Sequence, residues 1–156
     1  MLLITDTMKE KLLISACLLG IGCRYDGARV KKIDISELCE RYDLIPVCPE
    51  IYGGLPTPRT PSERLDDRVL MRDGTDVTEQ FIRGAEHTLD IAVASGARLA
   101  LLKERSPSCG KGEIYDGSFS GKLICRDGVT AEYLIGNGIR VFGESEIHML
   151  PAFFND

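Results

Sequence analysis

Leu99-Ala100-Leu101-Leu102 runs into Arg105-Ser106-Pro107-Ser108-Cys109-Gly110, and this junction decides the fold. A short, wholly apolar run broken by a turn containing Pro and Gly reads as a buried strand. The strand, Arg98 to Lys103, delivers small polar side chains and one thiol to a sheet edge. In parallel sheets the carboxyl edge is where ligands sit. Cys109 stands between Ser108 and Gly110, so its sulfur can be approached closely.

Upstream, Thr75-Asp76 opens the longest helix, with Asp76 and Glu79 spaced as a capping box. Val77, Phe81, Ala85, Leu89 and Ala92 recur at helical spacing as its buried stripe, and Ser95-Gly96 ends it. Two more strands precede it, Lys11 to Cys17 and Leu44 to Cys48. Pro46 cannot donate to a ladder, so the second belongs near an edge. Between them Ile35 to Tyr42 reads as a brief amphipathic helix, with Cys39 on its buried face. Val69 to Gly74 reads as a small strand with a turn. After the Cys109 turn, Gly128 to Ile135 reads as a last helix, Gly138 as a left-handed cap and Ile139 to Phe142 as the final strand.

This alternation predicts a single α/β domain, Rossmann-like and three-layered with a mainly parallel sheet. It spans residues 11–143, with residues 1–10 and 144–156 as tails.

Composition narrows the function. The 156 residues carry a net charge of -5, which speaks against bulk nucleic-acid binding. Six cysteines without a CxxC pair fit neither zinc ribbons nor a disulfide framework. A reducing, cytoplasmic setting with free thiols is expected. Leu12 to Cys23 faintly resembles a lipoprotein leader, but Asp6, Glu10, Ser15, Gly20 and Gly22 favour a strand and turn. No stretch approaches the ~20 apolar residues of a membrane span. Expected partners are a small molecule and, compatibly, a second copy of the chain.

Cys17 and Cys48 each end a strand and Cys109 lies just past the strand Leu99 to Lys103, so a parallel sheet carries all three to one edge. Thiolates suit zinc or iron–sulfur clusters, and three protein ligands leave one metal position open. Three buried structural thiols are the alternative. Glu50, two residues past Cys48, is a candidate acid–base carboxylate or a solvated charge. Ser106 and Ser108 are candidate hydrogen-bond donors to a bound heteroatom, or turn caps. Arg59, in the Gly- and Pro-rich loop after Cys48, is placed to clamp an anion or cap its loop. Tyr25, Tyr52 and Tyr115 lie in loops where they can wall a planar ligand. Cys23 reads as a fourth ligand, a resolving thiol or structure, and Cys125 as incidental. His87 falls opposite the apolar stripe and His148 in the tail, so a Cys–His nucleophile pair is not expected.

Several stretches together resemble the DUF523 family, which includes the thiouracil desulfidases. They are Cys17-Leu-Leu-Gly-x-x-Cys-Arg-Tyr-Asp-Gly27, Pro46-Val-Cys-Pro-Glu50 with Gly-Gly-Leu-Pro-Thr-Pro-Arg59, and Gly74-x-Asp-Val-Thr78. Ser106-Pro-Ser-Cys-Gly110 with Ile114-Tyr-Asp-Gly-x-Phe119, and Gly128-Val-Thr-Ala131, complete the set. Cys125 departs from the family pattern, where Gly is common. The resemblance implies a [4Fe-4S] cluster on Cys17, Cys48 and Cys109, its fourth iron taking the sulfur of a thiolated uracil. It implies non-redox hydrolysis of the carbon–sulfur bond, with Glu50 as acid–base group and Ser106 as assisting hydroxyl. Ser108, Tyr25 and Arg59 are then expected around the substrate. The rival class is a non-catalytic carrier of sulfur, persulfide or metal on the same thiols; a zinc site is a further rival.

Overall fold

The structure, a computed structural model, describes residues 8–27 and 33–153; the first seven residues of the expected N-terminal tail lie outside them. The central sheet has four parallel strands: β1 (Glu10–Ser15), β2 (Tyr42–Val47), β5 (Leu99–Leu102) and β8 (Arg140–Gly143). Their spatial order is β2-β1-β5-β8. Two small antiparallel hairpins, β3 (Ser62–Leu65) with β4 (Arg68–Met71) and β6 (Ile114–Tyr115) with β7 (Leu123–Ile124), sit apart from it. The helices are α1 (Ser36–Arg41), α2 (Pro49–Tyr52), α3 (Thr78–Ser95) and α4 (Val129–Gly136).

Strand alternation builds a core on each face. Leu13, Ala100, Leu102 and Val141 meet Ala92 of α3 and Ala131 and Leu134 of α4. On the other face Leu12, Ile14, Leu99, Leu101 and Phe142 meet Leu38 of α1 and Leu150. The sheet is thus the middle of three layers, and both faces are apolar because both are covered. Leu12, Leu13, Ile14, Leu101 and Leu102 are wholly buried, each stabilising by about 1.5–3 kcal/mol.

Leu150 corrects the expected C-terminal tail. Residues Glu144–Met149 and Pro151–Phe153 form two 3-10 turns, and Leu150 between them is 0% exposed. The domain therefore continues past residue 143 and uses this segment as part of its second outer layer. The N-terminal boundary also shifts slightly, since Glu10 already pairs with Tyr42.

Other expectations hold or move. Pro46 lies on β2, an edge strand. Cys39 is exposed rather than buried, because α1 is six residues long and buries Leu38 alone. Asp76 caps through an Asx turn instead of a capping box: its Oδ1 accepts from the Thr78 backbone N–H at 2.9 Å, while Glu79 pairs with Arg83. The long loop after Cys48 contains α2, one helical turn led by Pro49, a residue suited to a helix start.

Candidate functional site

The chain leaves β1 for β2 on one side, then returns to β5 on the other. The crevice between β1 and β5 is therefore the topological switch point, where open parallel sheets hold ligands. Ser15 closes β1, and its Oγ accepts from the Lys103 backbone N–H at 2.9 Å, stitching the two strand ends together. Cys17 follows in a 3-10 turn (Ala16–Leu19) ended by Gly20 at φ 82°. Cys48 follows β2 directly and Cys109 follows β5.

The Cys109 turn is mounted on α4. The first backbone N–H groups of a helix lack intrahelical partners. Here Val129 and Thr130 donate theirs to the Pro107 and Ser108 carbonyls at 2.9 and 2.8 Å. Gly128 lets the segments approach so closely: a Cβ there would lie 2.5 Å from Ser108 O. Inside the turn, Ser106 Oγ accepts from the backbone N–H groups of Ser108 at 3.1 Å and Cys109 at 3.0 Å.

Four thiols gather. Cys17 and Cys23 form one small buried cluster with Ala16, and Cys48 packs against it. The Cys48 thiol donates to the Cys23 carbonyl at 3.9 Å. Cys109 lies in the adjoining core with Val47. Burial pushes the Cys109 thiol up to about 12, with Cys48 and Glu50 adding in the same direction and Ser15 and Ser108 opposing. Cys48 is pushed up by its contact with the Cys23 thiol and by burial. Cys23 is pushed up by the neighbouring Cys17 thiol and by burial, against an opposing pull from Cys48.

All six cysteines are free. Among the described residues no three His, Cys, Asp or Glu side chains already converge as ligands of a single metal ion. The donor set is nonetheless soft, desolvated and all-sulfur, which fits a thiolate-bound group.

Glu50 sits on α2 beside Cys48, its side chain 18% exposed. Burial raises its carboxyl above the usual range, and Arg59 pulls the other way. Arg59 Nε donates to Glu50 Oε1 at 3.2 Å. Glu50 Oε2 has no hydrogen-bond partner among the described residues.

Two expected substrate contacts take other places. Ser108 is 0% exposed, and its hydroxyl pairs with Thr130 Oγ1 at 2.8 Å, which removes it from a substrate's reach. The Arg59 side chain is 2% exposed and directs four N–H donors to protein acceptors. Tyr25 keeps an exposed ring. Tyr52 instead packs against His87 with tilted rings, their centroids 4.8 Å apart. Both histidines and Cys125 are exposed. Sequence reasoning missed Ser15, whose signal was a lone hydroxyl in an otherwise apolar strand. Cys23, left open in the sequence as a fourth ligand, a resolving thiol or structure, lies beside Cys17, a place set by the path of the loop after Gly20.

The sequence profile of the 2-thiouracil desulfurase family matches residues 12–146. An uncharacterised protein of Bacillus subtilis (strain 168), YbbK, is 41% identical over 147 residues, covering 88% of this chain and 97% of that protein. Among solved structures, the [4Fe-4S]-dependent thiouracil desulfidase TudS (DUF523Vcz) matches with a TM-score of 0.85 and 46% identity, covering 91% of this chain and 95% of its own. Among the described residues no helix is long and apolar enough to cross a membrane. With a parallel three-layer sheet, thiols gathered at its switch point and a family match over nearly its whole length, this chain belongs to the 2-thiouracil desulfurase family.

Proposed function

We propose that this chain hydrolyses the carbon–sulfur bond of a small thiolated pyrimidine such as 2-thiouracil, releasing sulfide. One observation carries the reading: Cys17, Cys48 and Cys109 follow three neighbouring strands, with the Glu50 carboxyl near them. These three thiols would hold a [4Fe-4S] cluster. When bound, a cluster with three protein ligands supplies one open iron, a Lewis acid suited to a thione sulfur.

The rest is done by protein groups. Both lone pairs of Ser106 Oγ face backbone N–H donors. Its own O–H is therefore left to donate, and it orients the substrate's heteroatom. Because Arg59 occupies Glu50 Oε1, Oε2 is the oxygen left to take and give a proton. Burial raises this carboxyl above the ordinary range, against the pull of Arg59, which suits it to hand a proton to the leaving group. The exposed ring of Tyr25 forms a wall for a planar base.

The test is anaerobic reconstitution, iron and sulfide analysis, and loss of 2-thiouracil absorbance with sulfide release. Glu50→Gln is expected to load iron like the parent and lose at least about 100-fold in kcat. A chain that binds no iron overturns the cluster. Stoichiometric sulfur binding without turnover, indifferent to Glu50→Gln, puts a carrier in the enzyme's place.

A further inference from the structure

We infer that Arg59 is a positioning residue, a clamp that aims Glu50 and fastens the backbone beyond Cys17, and that it does not touch substrate. The inference rests on the reading of Glu50 as the acting carboxyl. Arg59 ends the Gly- and Pro-rich loop after α2, and four of its five guanidinium N–H donors have partners. Nε donates to Glu50 Oε1 at 3.2 Å. One Nη donates to Pro56 O at 3.1 Å and Thr57 Oγ1 at 3.0 Å. The other Nη donates to Cys23 O at 2.9 Å. The Arg59 backbone N–H donates to the Tyr25 carbonyl.

Three segments therefore meet on one side chain: the Cys23 loop, the α2 carboxylate and the Arg59 loop itself. A buried guanidinium has the fixed fork this requires, and an ammonium does not. The contact at Cys23 O matters twice, because the Cys48 thiol donates to the same oxygen. A thiol that becomes a metal ligand loses its proton. Cys23 O then keeps Arg59 as its remaining partner, so the clamp holds this loop when the site is loaded. A clamp of this kind holds a carboxylate in place without adding affinity for the substrate. Truncating it lowers kcat and leaves KM nearly unchanged, whereas a substrate clamp raises KM.

Arg59→Lys, Arg59→Met and Arg59→Ala are compared with the parent chain after anaerobic reconstitution. Iron and sulfide content are expected at parental levels. KM for 2-thiouracil is expected within about threefold of the parent, and kcat lower by about 10- to 100-fold. Added guanidinium is expected to restore part of the kcat of Arg59→Ala and none of that of Glu50→Gln. Hydrogen exchange on Arg59→Met and Arg59→Lys is expected to quicken at residues 22–27 and 55–59, with the sheet unchanged. A raised KM at parental kcat, or variants as active as the parent, overturns the clamp. If the parent itself does not turn over 2-thiouracil, the functional reading fails separately, and exchange decides: unchanged rates in both loops refute the clamp and faster rates uphold it.

Discussion

Gly84 in the middle of α3 offers a test of how the site is held, because α2, which carries Glu50, rests directly on it. A Cβ built at Gly84 would fall 2.0 Å from the Pro49 carbonyl oxygen; real Cβ atoms essentially never come within 3.0 Å. The same embrace is mirrored at Gly53, where a Cβ would lie 2.0 Å from Gln80 O. Gly84→Ala must therefore part α2 from α3 by about 1 Å or more, in an interior packed too densely to absorb it. Two terms set the stability change. Alanine favours a helix interior by about 0.8–1.0 kcal/mol over glycine, and overpacking costs about 1–3 kcal/mol. The net destabilisation is about 0–2 kcal/mol, a fall of at most several degrees in Tm. The effect on chemistry is larger, since Pro49 lies between Cys48 and Glu50. A displacement of about 1 Å at catalytic groups costs about 100-fold in rate. The expected signature is a folded protein with a slightly lower Tm, reduced iron content and kcat down by about two orders of magnitude. Gly136→Ala is the control, because nothing lies within 4 Å of a Cβ there. Gly84→Ala with parental iron content and kcat within about twofold refutes the reasoning.

Two further outcomes follow from the site. Ser108→Ala leaves Thr130 Oγ1 without its buried partner and is expected to cost about 1–3 kcal/mol, while KM for 2-thiouracil stays at the parental value; a raised KM with parental Tm contradicts this. Metal ligation displaces protons from thiols that burial and thiol contacts hold above their ordinary range. Loading is therefore expected to strengthen as pH rises and to weaken as it falls, read as retained iron against pH; retention independent of pH contradicts this.

The sheet was readable where a strand is apolar on both faces. Leu99 to Leu102 and Leu12 to Ile14 are buried on both sides, and continuous apolar runs signal that condition. The places of Cys17 and Cys48 were readable for the same reason, because each follows closely where its strand stops; that of Cys109 depends on a turn beyond β5, held by Ser106 and α4. The C-terminal segment was not. Glu144, Ser145, Glu146 and His148 make it look like a polar tail, and its buried anchor, Leu150, has Ile147 one 3-10 turn before it. A single pair at that spacing, in turns this short, is too little to register as helical periodicity. Ser108 and Arg59 misled for another reason. A polar side chain faces a ligand or a neighbour depending on partners distant in sequence, here Thr130 and the Cys23 carbonyl. No local pattern carries that information.

The thiols at the switch point have a consequence for biogenesis. Their strands pair β2 with β1 and β1 with β5, so they meet only after contacts as long-range as Leu12 with Leu99 have formed. Closing such long loops comes late in folding, since chain entropy opposes it until the core repays it. The apolar cores on both sheet faces are built from side chains of the strands and the helices that cover them. Unlike a zinc finger, whose ion organises an unfolded peptide, a chain with two such cores has the means to fold first. On the proposed function, iron delivery would then be a post-folding step, and a nascent chain cut short before Cys109 would lack one of the three thiols to receive it.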